Sequence, residues 1–534
     1  MKRVVEAFVA PVGCNPAPKV RGLFLAAAVL AAALASTDAH AVVVTNADGV
    51  CAPAADPCNV TTVIDIPEKL CSNNSNTVCT VNADCVMPGV CNFSPVTLDF
   101  GARDVNVSGS GQFNFGASSG TILTGGFSAT TTGAAIDANA VEAGGGTDSG
   151  SIHIFARRLC TENEPLGDPI PCLSLSDCQL GSCAGRCALR TSRQCVDSAE
   201  CSAGPCRTSN PAIGKCDDER TLSCTSNADC ELGSCSGPTT CRNRPADPIG
   251  CSVNADCDFG TCTVGTGSIV MGGSITGNSE FPAFIDLRAA DNITVSKTIN
   301  VAGTTIDSDG GEVSMDAGFG SVTLAAGGTI IATGGGFSTG GDITLYAGTD
   351  VSISAEIDLA GGDSDGGALD IEAARDVTIA RSINANASAG AGYGGDLTVL
   401  AGRDLILSGV SSANKTSITS SGNTDQFNDA GDGGYVDFSA ERNTTLNINT
   451  RIIANGAVPY GYGGDLTLGA YDGNMILNGD LVARGPGAQS AGGVLDAFAG
   501  GTMNFGSTGT IDLTGGADGG GEGNLESDGN STYA

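Results

Sequence analysis

From residue 266 to the end of the chain, apolar and polar positions alternate in runs of about five, and the runs come in threes. Residues 343–361 read ITLYA, VSISA and IDLAG, separated by short turns. A period of two marks strands with one face in and one face out, and strands this short need neighbours to bury their apolar face. The trio recurs. Gly-Gly pairs at 310, 340, 366, 394, 433, 463 and 492 open nearly constant phrases (GGEVSMDAG, GGDITLYAG, GGALDIEAA, GGDLTVLAG, GGYVDFSAE, GGDLTLGAY, GGVLDAFAG), spaced 30, 26, 28, 39, 30 and 29 residues apart. Three strands and three turns per unit predict an all-β fold, a right-handed parallel β-helix of stacked coils. Ile343, Leu345, Val351, Ile353, Ile357 and Leu359 point inward, and their equivalents lie ~4.8 Å away in the next coil.

The corners carry their own pattern. Ala317, Ala347, Ala373, Ala401, Ala440, Ala470 and Ala499 share one corner, where a larger side chain would push coils apart. Asn292, Asp350, Asp376, Asp404 and Asn443 share the next and are suited to turn hydrogen bonds. The Gly-Gly pairs are expected to supply positive φ. Arg375, Arg403 and Arg442, with Arg157 and Arg158 earlier, follow the Ala corner and read as partners of neighbouring acids.

Residues 95–159 have the same texture, in PVTLDFGARDVNVSG and GSIHIFARR, so the coils begin near the N-terminus. Between them and the Gly-rich region the text changes. Cys172, Cys178 and Cys183 are spaced C-x5-C-x4-C. The spacing recurs at Cys195, Cys201 and Cys206, at Cys224, Cys230 and Cys235, and at Cys251, Cys257 and Cys262, with a looser copy at Cys79, Cys85 and Cys91. One cysteine precedes each triplet: Cys160, Cys187, Cys216, Cys241 and Cys71. Cys51 and Cys58 complete an even set of 22. A segment of ~25 residues cannot bury a core, so each module reads as two disulfides, of which four cysteines allow three pairings. The spacing lacks the C-x2-C of zinc sites.

Lys2, Arg3, Lys19 and Arg21, the 13-residue apolar run at 23–35 and Ala39-His40-Ala41 form a secretory signal in order. The run is too short to span a bilayer, and no later stretch spans one. Cys14 leaves with this signal. The predicted organisation is a signal peptide at 1–41, first coils with one Cys-rich module at 42–159, a four-module insertion at 160–262, and Gly-rich coils at 263–534. The final phrase, GGADGGGEGNLESDGNSTYA, has no capping helix and reads as a bare terminus or the end of a fragment.

Composition narrows the partners. The 58 acidic groups oppose 25 basic ones, giving a formal charge of −33. Such a chain repels nucleic-acid phosphates and anionic lipid. From 266 onward nine basic residues face 32 acidic ones. With 79 Gly but no Gly-X-Y period, collagen is excluded.

Candidate chemistry is sparse. Asp370 and Glu372 lie two apart on one strand, both outward and ~6.7 Å apart by strand rise, the arrangement of a carboxylate pair acting on sugars. Asp437 occupies the Asp370 column two coils on. The opposing reading is a solvated acidic face, with no histidine in these coils and no Trp in the chain. His153 reads as a surface histidine beside the insertion. Asp307 and Asp309, Asp363 and Asp365, and Asp429 and Asp432 sit in DSDGG and NDAGDGG turns, whose oxygens suit Ca²⁺; Asp and Gly are also ordinary turn formers. No other cofactor is expected.

The GGDITLYAG and GGDLTVLAG phrases, the stacked Asp/Asn corner and the exported start resemble secreted bacterial β-helix proteins of the filamentous-haemagglutinin and autotransporter-passenger type. The likeness covers about two-thirds of the exported chain. It implies an extracellular or cell-surface, non-catalytic, adhesin-like role, with surface glycans or proteins of host or neighbouring cells as partners. The chain departs from that group in its cysteine modules and in having no C-terminal translocator barrel in this sequence. The rival expectation is a carbohydrate-active β-helix enzyme, a polysaccharide lyase or hydrolase using outward carboxylates.

Overall fold

The computed structural model describes residues 42–138, 149–156 and 266–533, apart from scattered single residues and short runs, together with six short strands between 185 and 236. The signal segment with Cys14, and also Arg157 and Arg158, lie outside the described residues. So do Cys160, Cys172, Cys178, Cys183, Cys201, Cys230, Cys241, Cys251, Cys257 and Cys262. Cys187, Cys195, Cys206, Cys216, Cys224 and Cys235 are described as strand backbone alone. The disulfides expected of the four-module insertion therefore fall outside the described residues, and those described are the three among Cys51, Cys58, Cys71, Cys79, Cys85 and Cys91.

The alternating runs are strands, and they stack into three parallel sheets of 12, 13 and 13 strands. One coil contributes one strand to each, for example Asp342–Ala347 to the long sheet, Val351–Ile353 to the second and Glu356–Asp358 to the third. Long-sheet strands from residue 284 onward have six residues, against two to four in the other two sheets over the same coils. Register is strict, because a one-residue slip would turn the apolar face to water. Leu287, Met315, Leu345, Ile371, Val399, Phe438 and Leu468 accordingly form one fully buried column. All six residues predicted inward at 343–359 are buried to 1% exposure or less. The alanines form a second buried column, with Ala156 and Ala289 added at its start.

The Gly-Gly pairs are needed for a different reason from the expected one. None of them has positive φ; among the described residues that conformation occurs at Gly101, Gly109, Gly116, Gly267, Gly327, Gly390 and Gly519, and at Asn449. Instead the second glycine of each pair packs its Cα against the preceding coil's backbone. A Cβ on Gly367 would lie 2.8 Å from the Gly340 carbonyl carbon and nearer still to the Gly341 carbonyl oxygen, and Gly341, Gly395, Gly434, Gly464, Gly493 and Gly521 repeat this. Their N–H groups close the coil, Gly367 N donating to Leu359 O at 2.8 Å and Gly395 N to Ala385 O at 2.8 Å. Absence of a side chain, rather than φ, is what these turns require.

At the N-terminal end, the short helix Ala47–Val50 and the Cys51–Cys58 disulfide lie over the first coil. Val44, Ala47 and Cys58 join the main core, and Val42–Val43 pairs with the third sheet. Val44 and Ala47 thus bring this segment onto the N-terminal end of the core. The first Cys-rich module folds as the antiparallel strands Lys69–Cys71, Asn74–Val78 and Cys91–Phe93. The larger insertion leaves after Ile152–Ala156 and returns at Gly267, whose N–H donates to Gly125 O at 2.7 Å. It therefore replaces a single corner between long and second sheets. Within it, two further three-stranded antiparallel sheets form, one from Gly185–Cys187, Ser223–Cys224 and Cys235–Ser236, the other from Gln194–Cys195, Cys206–Asn210 and Ile213–Cys216.

In the described module Cys79 bonds Cys91, and Cys71 bonds Cys85. The first and third cysteines of the triplet are thus joined, leaving the middle one for a cysteine outside it. The repeated spacing predicts Cys172–Cys183, Cys195–Cys206, Cys224–Cys235 and Cys251–Cys262. It leaves the middle residues Cys178, Cys201, Cys230 and Cys257 each for a cysteine outside its own triplet. Peptide mapping under non-reducing conditions checks this, and bridges between first and middle cysteines would refute it.

Candidate functional site

The outward polar side chains at the corners are occupied in holding one coil to the next. Asn292 Oδ1 accepts from Ser321 N at 2.9 Å, Asp350 from Asp376 N at 3.2 Å, Asp376 from Asp404 N at 3.3 Å and Asn443 from Asn474 N at 2.9 Å. The Asp/Asn corner is thus a ladder of turn hydrogen bonds, and Asn474 extends it to Thr502 N at 2.9 Å. The arginines run beside it in steps. Arg375 pairs with Asp350, Arg403 with Asp376 and Arg442 with Asp404, each reaching back one coil in a bidentate grip.

These pairs set a pH dependence. Arg375, Arg442 and Arg484 hold the carboxyls of Asp350, Asp404 and Asp512 below the ordinary carboxylate range. A carboxyl whose pKa is lower folded than unfolded stabilises the fold above its unfolded value, about 3.9, and loses that contribution as pH falls through the folded value. Glu312 and Asp370 act oppositely: partial desolvation by packed neighbours raises both, so acidification relieves them. Thermal midpoints should be highest in mildly acidic buffer and fall below about pH 4. Replacing Arg375, Arg442 and Arg484 by Gln together should flatten the acid limb. An unchanged limb in that variant would show that these pairs do not set it.

The turn acids are drawn into a similar ladder. Asp309 Oδ1 accepts from Thr339 N and Oγ1, both at 3.0 Å, Asp365 Oδ1 from Tyr393 N at 2.8 Å and Asp432 Oδ1 from Tyr462 N at 2.7 Å. Asp429 N donates to Asp425 Oδ1 at 2.8 Å. Asp307 is exposed and Asp363 half-buried. Among the described residues no three carboxylates converge within the span of one ion; the one convergent set is Cys71, Cys79 and Cys85, whose sulfurs are bonded in disulfides.

Asp370 and Glu372 both face outward from Ala368–Ala373, as expected. Asp370 stands between Thr344 and Thr398, with Asp437 beyond Thr398, while Glu372 stands between Tyr346 and Leu400. Asp370 is solvent-exposed, yet its packed neighbours push its carboxyl above the usual range. From Phe284–Ala289 onward the only basic side chain in these outward columns is Arg288, three coils away.

His153 differs from the bare surface residue expected. It is half-buried and its Nδ1 lies 3.1 Å from Oδ2 of Asp286, a carboxylate only 1% exposed. Arg288 Nε donates to the other oxygen at 3.0 Å, and the His153 ring meets Phe284 edge-on at 5.4 Å. A buried carboxylate needs donors on both oxygens. His153 and Arg288 supply them, from strands separated in sequence by the whole insertion.

One hollow differs in character from the rest of this acidic surface. On the outer face of the third sheet, Glu356, Arg381, Ser382, Lys415, Thr416, Ser417 and Arg451 line a polar cavity of about 580 Å³. Ser417 and Arg451 are register partners, and Ser417 N donates to Ser382 Oγ at 3.1 Å, so three successive coils build its floor. Lys415 comes from the extra residues of the longest coil, where Thr416 Oγ1 anchors to Ser408 O at 2.8 Å. No sequence motif marks this site; the only signal is the 39-residue interval in the Gly-Gly spacing.

Searches of protein families, curated proteins and solved structures found no match to this chain.

Proposed function

We propose that the protein is a secreted or cell-surface β-helix that presents a rigid binding surface, without catalysis, to surface glycans or to proteins of host or neighbouring cells. The observation that carries this reading is the commitment of outward Asp, Asn and Arg side chains to coil-to-coil ladders. Such ladders fix long columns of hydroxyls and carboxylates in place, which lowers the ordering cost of binding an extended partner. Three disulfides fit an oxidising compartment, and among the described residues no helix is long and apolar enough to cross a membrane.

The rival, a carbohydrate-active enzyme, draws support from the raised carboxyl of Asp370 beside Glu372. Incubation with acidic and neutral polysaccharides separates the two. Retention without turnover is expected, whereas released oligosaccharide that disappears in Asp370→Asn would establish the enzyme.

A further inference from the structure

We infer that the cavity on the third sheet is an oxyanion site, taking the carboxylate or sulfate group of an acidic sugar chain. This rests on the reading of the protein as a glycan-presenting surface and gives that reading a location.

Most positive charge in these coils is already paired. Of the nine basic residues from 266 onward, Arg288, Arg375, Arg403, Arg442 and Arg484 each pair with an aspartate. Arg381, Arg451 and the exposed Lys297 make no ion pair among the described residues, and both of these arginines line this one cavity, which Lys297 does not. Lys415 joins them, its Nζ held at 2.7 Å by Asp480. On a chain of net charge −33, acids outnumber bases more than threefold in these coils, so two arginines left unpaired in a shared hollow run against the prevailing distribution.

Geometry agrees with charge. Arg451 Nε donates to Ser417 Oγ at 2.6 Å, which fixes the guanidinium over the floor and leaves the hydroxyl proton of Ser417 to donate elsewhere. Guanidinium forks and hydroxyl donors are the usual partners of carboxylate and sulfate oxygens. Glu356, at the other end of the column, is an acceptor suited to sugar hydroxyls. The volume lies within the ~300–1,000 Å³ of small-ligand sites, enough for one or two sugar units.

The test uses the full chain with its disulfides intact. Binding of oligogalacturonate, dextran sulfate and neutral dextran is measured by calorimetry for the native protein, the double variant Arg381→Gln/Arg451→Gln, and Lys297→Gln as a control at an exposed base outside the cavity. At least tenfold weaker binding of one or both anionic ligands is expected in the double variant alone, with unchanged far-UV dichroism. Galacturonate dependence alone assigns a carboxylate, dextran sulfate dependence alone a sulfate. Equal affinity in native and double-variant proteins, or no binding of either anionic ligand, overturns the site. If neither anionic ligand depends on Arg381 and Arg451 while neutral dextran is still bound, the broader glycan reading stands and the cavity fails. Breakdown of the oligogalacturonate by native protein would instead defeat the non-catalytic reading.

Discussion

Replacing Gly367 by valine should destabilise the protein by more than about 4 kcal/mol, the range reached only when a substitution breaks a specific structural requirement. The added Cβ would lie 2.8 Å from the Gly340 carbonyl carbon and closer to the Gly341 oxygen, both backbone atoms of the preceding coil. No side-chain rotation relieves such a clash. The same oxygen accepts a hydrogen bond from Ala368 N at 3.2 Å, and Gly367 N donates to Leu359 O at 2.8 Å, so moving the turn outward breaks the coil's own closure as well as its stacking. Gly133→Ala is the matched control: nothing lies within 4 Å of its would-be Cβ and its φ is not positive, so its effect should stay within about 0.5 kcal/mol. Denaturant melts of the two variants decide the point. A small effect at Gly367 would mean that the coils can separate locally at little cost, contrary to the packing described.

How far the sequence disclosed this molecule differs by the kind of information each feature needs. The aliphatic columns were legible because a strand's inward set repeats every second residue and each coil repeats the set; Ile343, Leu345, Val351, Ile353, Ile357 and Leu359 were placed inward from the sequence, and all six are buried. The Ala corner was legible for the same reason. The glycine column was recognised but its cause was misassigned, since positive φ and close backbone approach select the same residue, and only the neighbouring coil distinguishes them. The His153–Asp286 pair was invisible: its partners lie 133 residues apart, and the insertion interrupts the period that would have aligned them. Arg381, Lys415 and Arg451 escaped for a related reason, because the longest coil lies between them and shifts the count. Features that recur with the coil can be read along the chain, whereas a site assembled where the recurrence breaks needs three-dimensional register.

Truncating Phe438 to alanine tests whether the coils behave as a stack of neighbours. Phe438 is fully buried, between Val399 and Leu468 in its column, while the other fully buried phenylalanines, Phe100, Phe113, Phe115 and Phe127, belong to the first coils. Losing the ring removes its transfer energy and leaves a cavity that stacked backbones cannot collapse to fill, a cost of about 3–5 kcal/mol. In a solenoid each coil's stability comes from its own residues and the two adjoining interfaces, so this loss should stay near its source. Hydrogen exchange should show protection falling most in Asp396–Ala401, Tyr435–Ala440 and Asp465–Ala470, with Ile285–Ala289 nearly unchanged. A uniform loss along the whole chain would instead mean that the coils open as one cooperative unit. The distinction bears on function, because a stack that absorbs damage locally keeps its remaining outer face intact for binding.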